Sequence, residues 1–298
     1  MKILITGNKG QLGTELTNII NDMRSELGAI PEAYYGAEVV GVDIDTLDIS
    51  DEKSLEGFAA FQKEPFDLIL NCAAMTNVDA CETEYEAALK GNAVAPKNIA
   101  AFAEKQRAKL VHISTDYVFN GKSEKPYTED DVPAPVTAYG KSKLLGEQNV
   151  QEACSRAFIL RTAWLYGKTG NNFVKTILKL ASERDRITVV YDQVGNPTNA
   201  NDLAHHILKV GVTEGFGIYH VTGNGICSWF DFAKEIVRLS GLKCEVAPVT
   251  TAEFPRPAPR PAFSAMDHVK LRGTVGDEMR QWQDALAAYI SQTKDMQR

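Results

Sequence analysis

The sequence lacks the features that mark secreted, metal-bound or membrane-bound chains. Its five cysteines (Cys72, Cys81, Cys154, Cys227, Cys244) are odd in number and form no C-x-x-C pair. That speaks against a disulfide framework or thiolate metal site and points to a reducing, cytoplasmic setting. No apolar run reaches the length of a membrane span, and Ile3-Leu4-Ile5 meets Gly7 before a signal-peptide core could form. Net positive charge is missing too. Lys and Arg total 32 against 39 Asp and Glu, a formal net charge of -7, so the chain presents no overall positive field to nucleic acid or a membrane surface. Histidine is scarce: His205 and His206 are adjacent and diverge on a helix, while His112 and His220 fall on expected strands, where core histidines are common. No internal repeat or long low-complexity tract is present.

What remains is an ordinary globular composition, 298 residues with 44% hydrophobic and 24% charged, enough for one large α/β domain with a smaller satellite or for two domains. Short β-rich runs at residues 3–6, 39–42, 68–71, 110–114 and 158–161 alternate with helical segments at 11–27, 54–62, 84–105 and 139–153. This is the pattern of βαβ units around a parallel sheet. Right-handed crossovers align the carboxyl ends of such strands along one edge, where ligands bind. Beyond about residue 163 the alternation breaks down. Helices are expected at 172–183, 201–210, 229–240 and 277–292, strands at 187–191 and 217–221, and a Pro-rich stretch at 248–261. The expected fold is a Rossmann-type doubly wound parallel sheet with a smaller α/β substrate lobe. Residues 1–163 and 188–221 form the dinucleotide-binding part, and 164–187 and 222–298 form the lobe.

Gly7, Gly10 and Gly13 sit three apart, directly after the first strand and at the start of a helix. In that place the first can turn tightly, the second lets backbone approach a pyrophosphate, and the third lets helix pack on strand, with Gln11 and Leu12 opening the helix whose positive end faces the phosphates. The second strand ends at Asp43, further along than the usual fingerprint, so an extra loop must lie within 24–38. Asp43 is the candidate for the adenosine ribose hydroxyls, and an acid there favours NADH by repelling a 2'-phosphate. Asp48 and Ile49 are the candidates for the adenine. Whether NADPH or NADH is preferred stays open. Asn71-Cys72-Ala73-Ala74-Met75-Thr76 closes the third strand with small residues, so that Ala73, Ala74 and Met75 can run beneath the dinucleotide.

Tyr139 and Lys143 are four apart on an expected helix and therefore share a face. Such a pair alone is commonly a solvated surface. As chemistry, a nearby ammonium stabilises phenolate and draws the phenol towards the working pH range, so that Tyr139 can protonate a ketone oxygen. Thr115 ends the run Leu110-Val111-His112-Ile113-Ser114 at the same sheet edge, where it would hydrogen-bond the carbonyl.

With these segments in hand, the chain resembles the dTDP-4-dehydrorhamnose reductase family of the extended short-chain dehydrogenase/reductase superfamily. The resemblance runs through residues 7–13, 71–79, 114–119 and 139–143, then Arg161-Thr162-Ala163-Trp164-Leu165-Tyr166, 192–198, Gly217-Ile218-Tyr219-His220 and 260–264. It implies hydride transfer from NADPH or NADH to C4 of a dTDP-linked 4-keto deoxysugar, dTDP-4-dehydro-L-rhamnose, by a monomer or homodimer. Thr115, Tyr139 and Lys143 would be the catalytic group, Lys143 would also hold the nicotinamide ribose, and Thr115 and Asp116 would face the substrate. Trp164 matches a tryptophan that stacks on the thymine base, the lesser alternative being a core anchor. Arg256 and Arg260, in the stiff Pro-rich run, are candidates to clamp the diphosphate, Arg260 the better placed. Some relatives hold Mg²⁺ between subunits through glutamates. Glu15 matches one such position, but one glutamate is not a site, so no metal is assigned.

The chain departs from the family pattern at Phe263, where Asn is usual, and at Met75, where His is frequent. Related dehydratases carry an Asp-Glu pair after the threonine, whereas Asp116 is followed by Tyr117, which favours simple reduction. The rival of another class is a non-catalytic nucleotide-binding subunit, like the regulatory subunit of methionine adenosyltransferase.

Overall fold

A computed structural model describes residues 1–295. Six parallel strands form the central sheet: β1 Lys2–Thr6, β2 Glu38–Val42, β3 Leu68–Asn71, β4 Lys109–Thr115, β5 Ala157–Thr162 and β6 Gly217–His220. Their order is β6-β5-β4-β3-β1-β2, so the chain changes direction across the sheet between β1 and β3. The fold is a doubly wound α/β sheet of the Rossmann type, and its ligand crevice is expected at that change of direction.

The strands are short apolar runs because both faces are covered. Alternate side chains divide between two cores: Ile3, Ile5, Leu68, Leu70, Phe158 and Leu160 go to one side, Leu4, Ile69 and Ile159 to the other. The first core is closed by α1 (Gln11–Asp22) and the helix Ala200–Gly211, through Leu16, Ile19, Leu203 and Ile207. The second is closed by α2 (Glu52–Ala60) and α3 (Ala95–Gln106), through Leu55, Ile99 and Ala103. The helix α4 (Ala138–Ala153) packs beside α3 and carries Tyr139 and Lys143.

A third core belongs to the smaller lobe, where helices α5 (Phe173–Glu183), α6 (Trp229–Ser240) and α7 (Trp282–Asp295) gather Ile177, Phe232, Ile236 and Leu286. Ile187 and Val189 also pack here. Their strand, Arg186–Val190, pairs in parallel with Glu245–Val249 and not with the six-stranded sheet.

The larger departures from the expected helices have local reasons. The helix expected at 11–27 stops at Asp22, where Met23 takes a left-handed φ of 53° and its N–H closes on Ile19 and Ile20. The extra loop is a small hairpin (Arg24–Ser25 with Gly28–Ala29) and a 3-10 turn at Glu32–Tyr34. The helix expected at 84–105 is interrupted by a π-helical turn, Lys90–Val94, just before Pro96, whose missing N–H cannot bond the carbonyl four residues back. At the C-terminal end the helix begins at Trp282 and not at 277, because Asp277 pairs with His268 (3.0 Å) and accepts the Met279 N–H (3.0 Å). Among the described residues no helix is long and apolar enough to cross a membrane.

Candidate active site

A cavity of about 790 Å³ runs along the carboxyl ends of the strands. It is lined by Gly7, Gly10, Gln11, Leu12, Gly13, Asp43, Asp48, Ile49, Ala73, Ala74, Met75, Thr115, Asp116, Tyr139, Lys143 and Trp164. All the sequence-derived cofactor and substrate residues except Arg256 and Arg260 thus line one cavity.

At one end the glycine turn fits a pyrophosphate-bearing dinucleotide. Gly7 has φ 66°, and a Cβ there would lie 2.8 Å from the Ala73 nitrogen, so the loops after β1 and β3 touch only because the side chain is absent. A Cβ on Gly13 would fall 2.6 Å from Asn8 Cα, within the turn itself. No side chain caps α1 at Gly10, and Gly10, Gln11, Leu12 and Gly13 all border the cavity. The positive end of the helix therefore opens where phosphates would lie.

Both carboxylate oxygens of Asp43 are engaged by the backbone, accepting the N–H of Lys9 (3.1 Å) and of Ile44 (2.9 Å). It staples the glycine turn to the end of β2 while lining the cavity. Asp48 accepts from Ser50 and pairs with Lys90 (3.1 Å), and Ile49 is buried beneath.

At the chemical end, the Thr115 hydroxyl donates to Asp116 Oδ1 (2.9 Å) and accepts the Tyr117 N–H (3.2 Å). Thr115 and Tyr139 line the same cavity. Tyr139 is buried, edge-on to Tyr117 at 5.4 Å, and burial pushes its phenol above the ordinary range, with Thr115 pulling the other way. The expected acidifying ammonium is turned elsewhere: Lys143 Nζ donates to the Ile113 carbonyl at 2.6 Å. The phenol is thus held neutral, the state that donates a proton. Burial lowers Lys143 to about 8, opposed by the charge of Glu147 one turn along the helix. Burial raises the Asp116 carboxyl to about 6, with the Thr115 hydroxyl that donates to it pulling the other way.

Trp164 reaches the cavity from the loop after β5 with φ 48°, an uncommon backbone state for a bulky side chain. Trp229, which sequence reasoning did not single out, lines the same end and stacks on it. Arg260 pairs with Asp79 (2.9 Å) and donates to the Ala258 carbonyl (2.9 Å). Arg256 is exposed, 4.7 Å from the Phe254 ring. Neither arginine lines the cavity.

Asn92 was also missed. Fully buried in the π-turn, it accepts the Met75 N–H (2.8 Å) and donates to the Met75 carbonyl (3.0 Å) and to Ser142 (3.1 Å). It ties the loop after β3 to the catalytic helix. A π-turn has no composition signature, and only Pro96 hinted at a broken ladder.

The remaining candidates are structural. Glu15 is buried and accepts from Asn201 at 2.5 Å. His112 bonds Asn71 (2.9 Å), and His206 accepts the Glu278 N–H (3.1 Å). Among the described residues no group of three or more His, Cys, Asp or Glu is placed to hold a metal ion. The Cys72 thiol at the glycine turn is pushed up to about 12 by burial.

Comparison with known proteins finds relatives along nearly the whole chain. A dTDP-4-dehydrorhamnose reductase from Clostridium acetobutylicum is 45% identical, covering 99% of this chain and 100% of the other with a TM-score of 0.91. The structure of a dTDP-4-dehydrorhamnose reductase from Bacillus anthracis in complex with NADP is 40% identical, covering 98% and 99% with a TM-score of 0.90. A Streptomyces antibioticus protein described as a probable dTDP-4,6-dihydroxy-2-methyloxan-3-one 4-ketoreductase is 41% identical over 289 residues, 96% of this chain and 93% of that one. The sequence pattern of one family, described as RmlD substrate binding domain, matches residues 1–295, and the chain belongs to that family.

Proposed function

We propose that this protein reduces the 4-keto group of dTDP-4-dehydro-L-rhamnose to dTDP-L-rhamnose, with Tyr139 as the general acid. When bound, NADPH or NADH supplies the hydride. Tyr139 gives its hydroxyl proton to the carbonyl oxygen, and Thr115, in the same cavity, orients the oxygen towards it. Lys143 holds the nicotinamide ribose. Asp116 faces the sugar, and Trp164 stacks on the base. Arg260 reaches the diphosphate only by releasing Asp79.

The observation that carries this reading is the placement of Thr115 and Tyr139 together in the cavity that opens, at its other end, on an uncapped glycine turn. The names of the relatives support the sugar and the NADP complex supports the cofactor, while the Streptomyces relative shows that a similar chain is described as acting on another 4-keto compound. The test is oxidation of NADPH and NADH, followed by absorbance, with dTDP-4-dehydro-L-rhamnose generated in situ and the product identified. Turnover to dTDP-L-rhamnose is expected. Dinucleotide binding without turnover would transfer the activity to a different keto sugar, or to a non-catalytic role.

A further inference from the structure

The indoles of Trp164 and Trp229 lie face to face, 3.5 Å between centroids and 6° from parallel. At that separation nothing fits between them. Elsewhere around Trp164 the backbone closes in: a Cβ on Gly195 would be 2.8 Å from its Cε2 and 2.9 Å from its Nε1. The left-handed backbone of Trp164 is a strained arrangement that persists only when the surroundings impose it, and such strain gathers at ligand clamps. Trp229 is the first residue of α6, whose start is fixed by a reciprocal capping box between Ser228 and Asp231. Its backbone is therefore held, and its side-chain torsions are what remain free to move the ring. Unlike Phe232 and Ile236 of the same helix, which are sealed in the lobe core, Trp229 is only half-buried, with Phe173 leaning on it at 4.4 Å.

We infer that Trp229 is a gate for the base of the nucleotide sugar: its indole covers the face of Trp164, and a pyrimidine reaches that face only when Trp229 turns aside and then closes on the base from the other side. The inference rests on the reading of Trp164 as the stacking surface. It assigns Trp229 a part in substrate selection and none in the chemistry, because a flat base makes good the stacking that the Trp229 ring gives up, whereas a ligand without a base does not.

Two indoles in parallel contact couple and give a paired positive and negative band in far-ultraviolet circular dichroism. The third tryptophan, Trp282, packs edge-on against Phe232 in the lobe core and makes no ring contact with either indole of this pair among the described residues. Titration of the full chain with dTDP, read by circular dichroism and calorimetry together, tests the gate. The paired band is expected to disappear as dTDP saturates. Trp229→Leu should lack the band from the outset and bind dTDP roughly five- to hundredfold more weakly, the scale of one base–aromatic stack, with NADPH affinity retained as the sign of an intact fold. In steady state the loss should fall on KM for the nucleotide sugar and not on kcat. A paired band that persists in the dTDP complex, or a Trp229→Leu chain that binds dTDP as tightly as the parent, overturns the gate while leaving the proposed reaction standing. A parent chain that does not bind dTDP at all overturns both.

Discussion

Glu147 holds Arg161 from both carboxylate oxygens, at 3.0 Å to Nε and 2.7 Å to Nη2, and each side chain is 1% exposed. Glu147 Oε1 also accepts the Ser114 hydroxyl at 2.5 Å, so the residue before Thr115, the helix that carries Tyr139 and Lys143, and strand β5 are locked together. Burying two charges is costly, and their fork-shaped pairing offsets that cost only while both are present.

Arg161→Met should therefore destabilise the protein by about 3–5 kcal/mol, because it strands the Glu147 carboxylate. Adding Glu147→Leu to it should recover much of the loss. Urea unfolding of both variants checks this, and a double variant less stable than Arg161→Met would show that the pair matters for more than mutual neutralisation.

Tyr139→Phe should lower kcat by roughly 10²-fold or more with little change in NADPH affinity, as expected when a general acid is removed and the ring kept. Single-turnover kinetics with a parallel dinucleotide titration measure the two quantities. Near-parental turnover would take the proton-donor role away from Tyr139.

Asp116 titrates at about 6 in the fold against an ordinary 3.8, mainly through burial. Between those values the folded chain binds the extra proton and the unfolded chain does not, so this group lowers stability as pH rises from about 4 to about 6, and the loss persists above. Asp116→Asn keeps the acceptor for Thr115 but removes the charge. It should gain on the order of 1–3 kcal/mol relative to the parent at pH 7, shrinking towards nothing near pH 4. Denaturant melts at the two pH values give the difference, and an equal gain at both would exclude the carboxyl as its source.

Asn92→Ala leaves the Met75 N–H without its partner and should cost about 1–3 kcal/mol. The freed loop borders the glycine turn through Ala73, so KM for NADPH should rise more than kcat falls. Thermal unfolding and cofactor saturation curves report the two effects, and unchanged stability would mean that water replaces the amide.

Periodicity and spacing in the sequence already determined the six strands, most of the helices and the convergence of Gly7, Asp43, Ala73, Thr115 and Tyr139 on one edge. A parallel sheet brings the ends of its strands together whatever lies between. The tertiary structure decided what depends on partners remote in the chain. It turned Lys143 from Tyr139 towards Ile113, drew both oxygens of Asp43 into the turn, paired Arg260 with Asp79, and set Trp229 against Trp164. Each of these is a competition among hydrogen bonds, charges and ring faces, and its outcome depends on distances between separate elements that no local pattern of residues records.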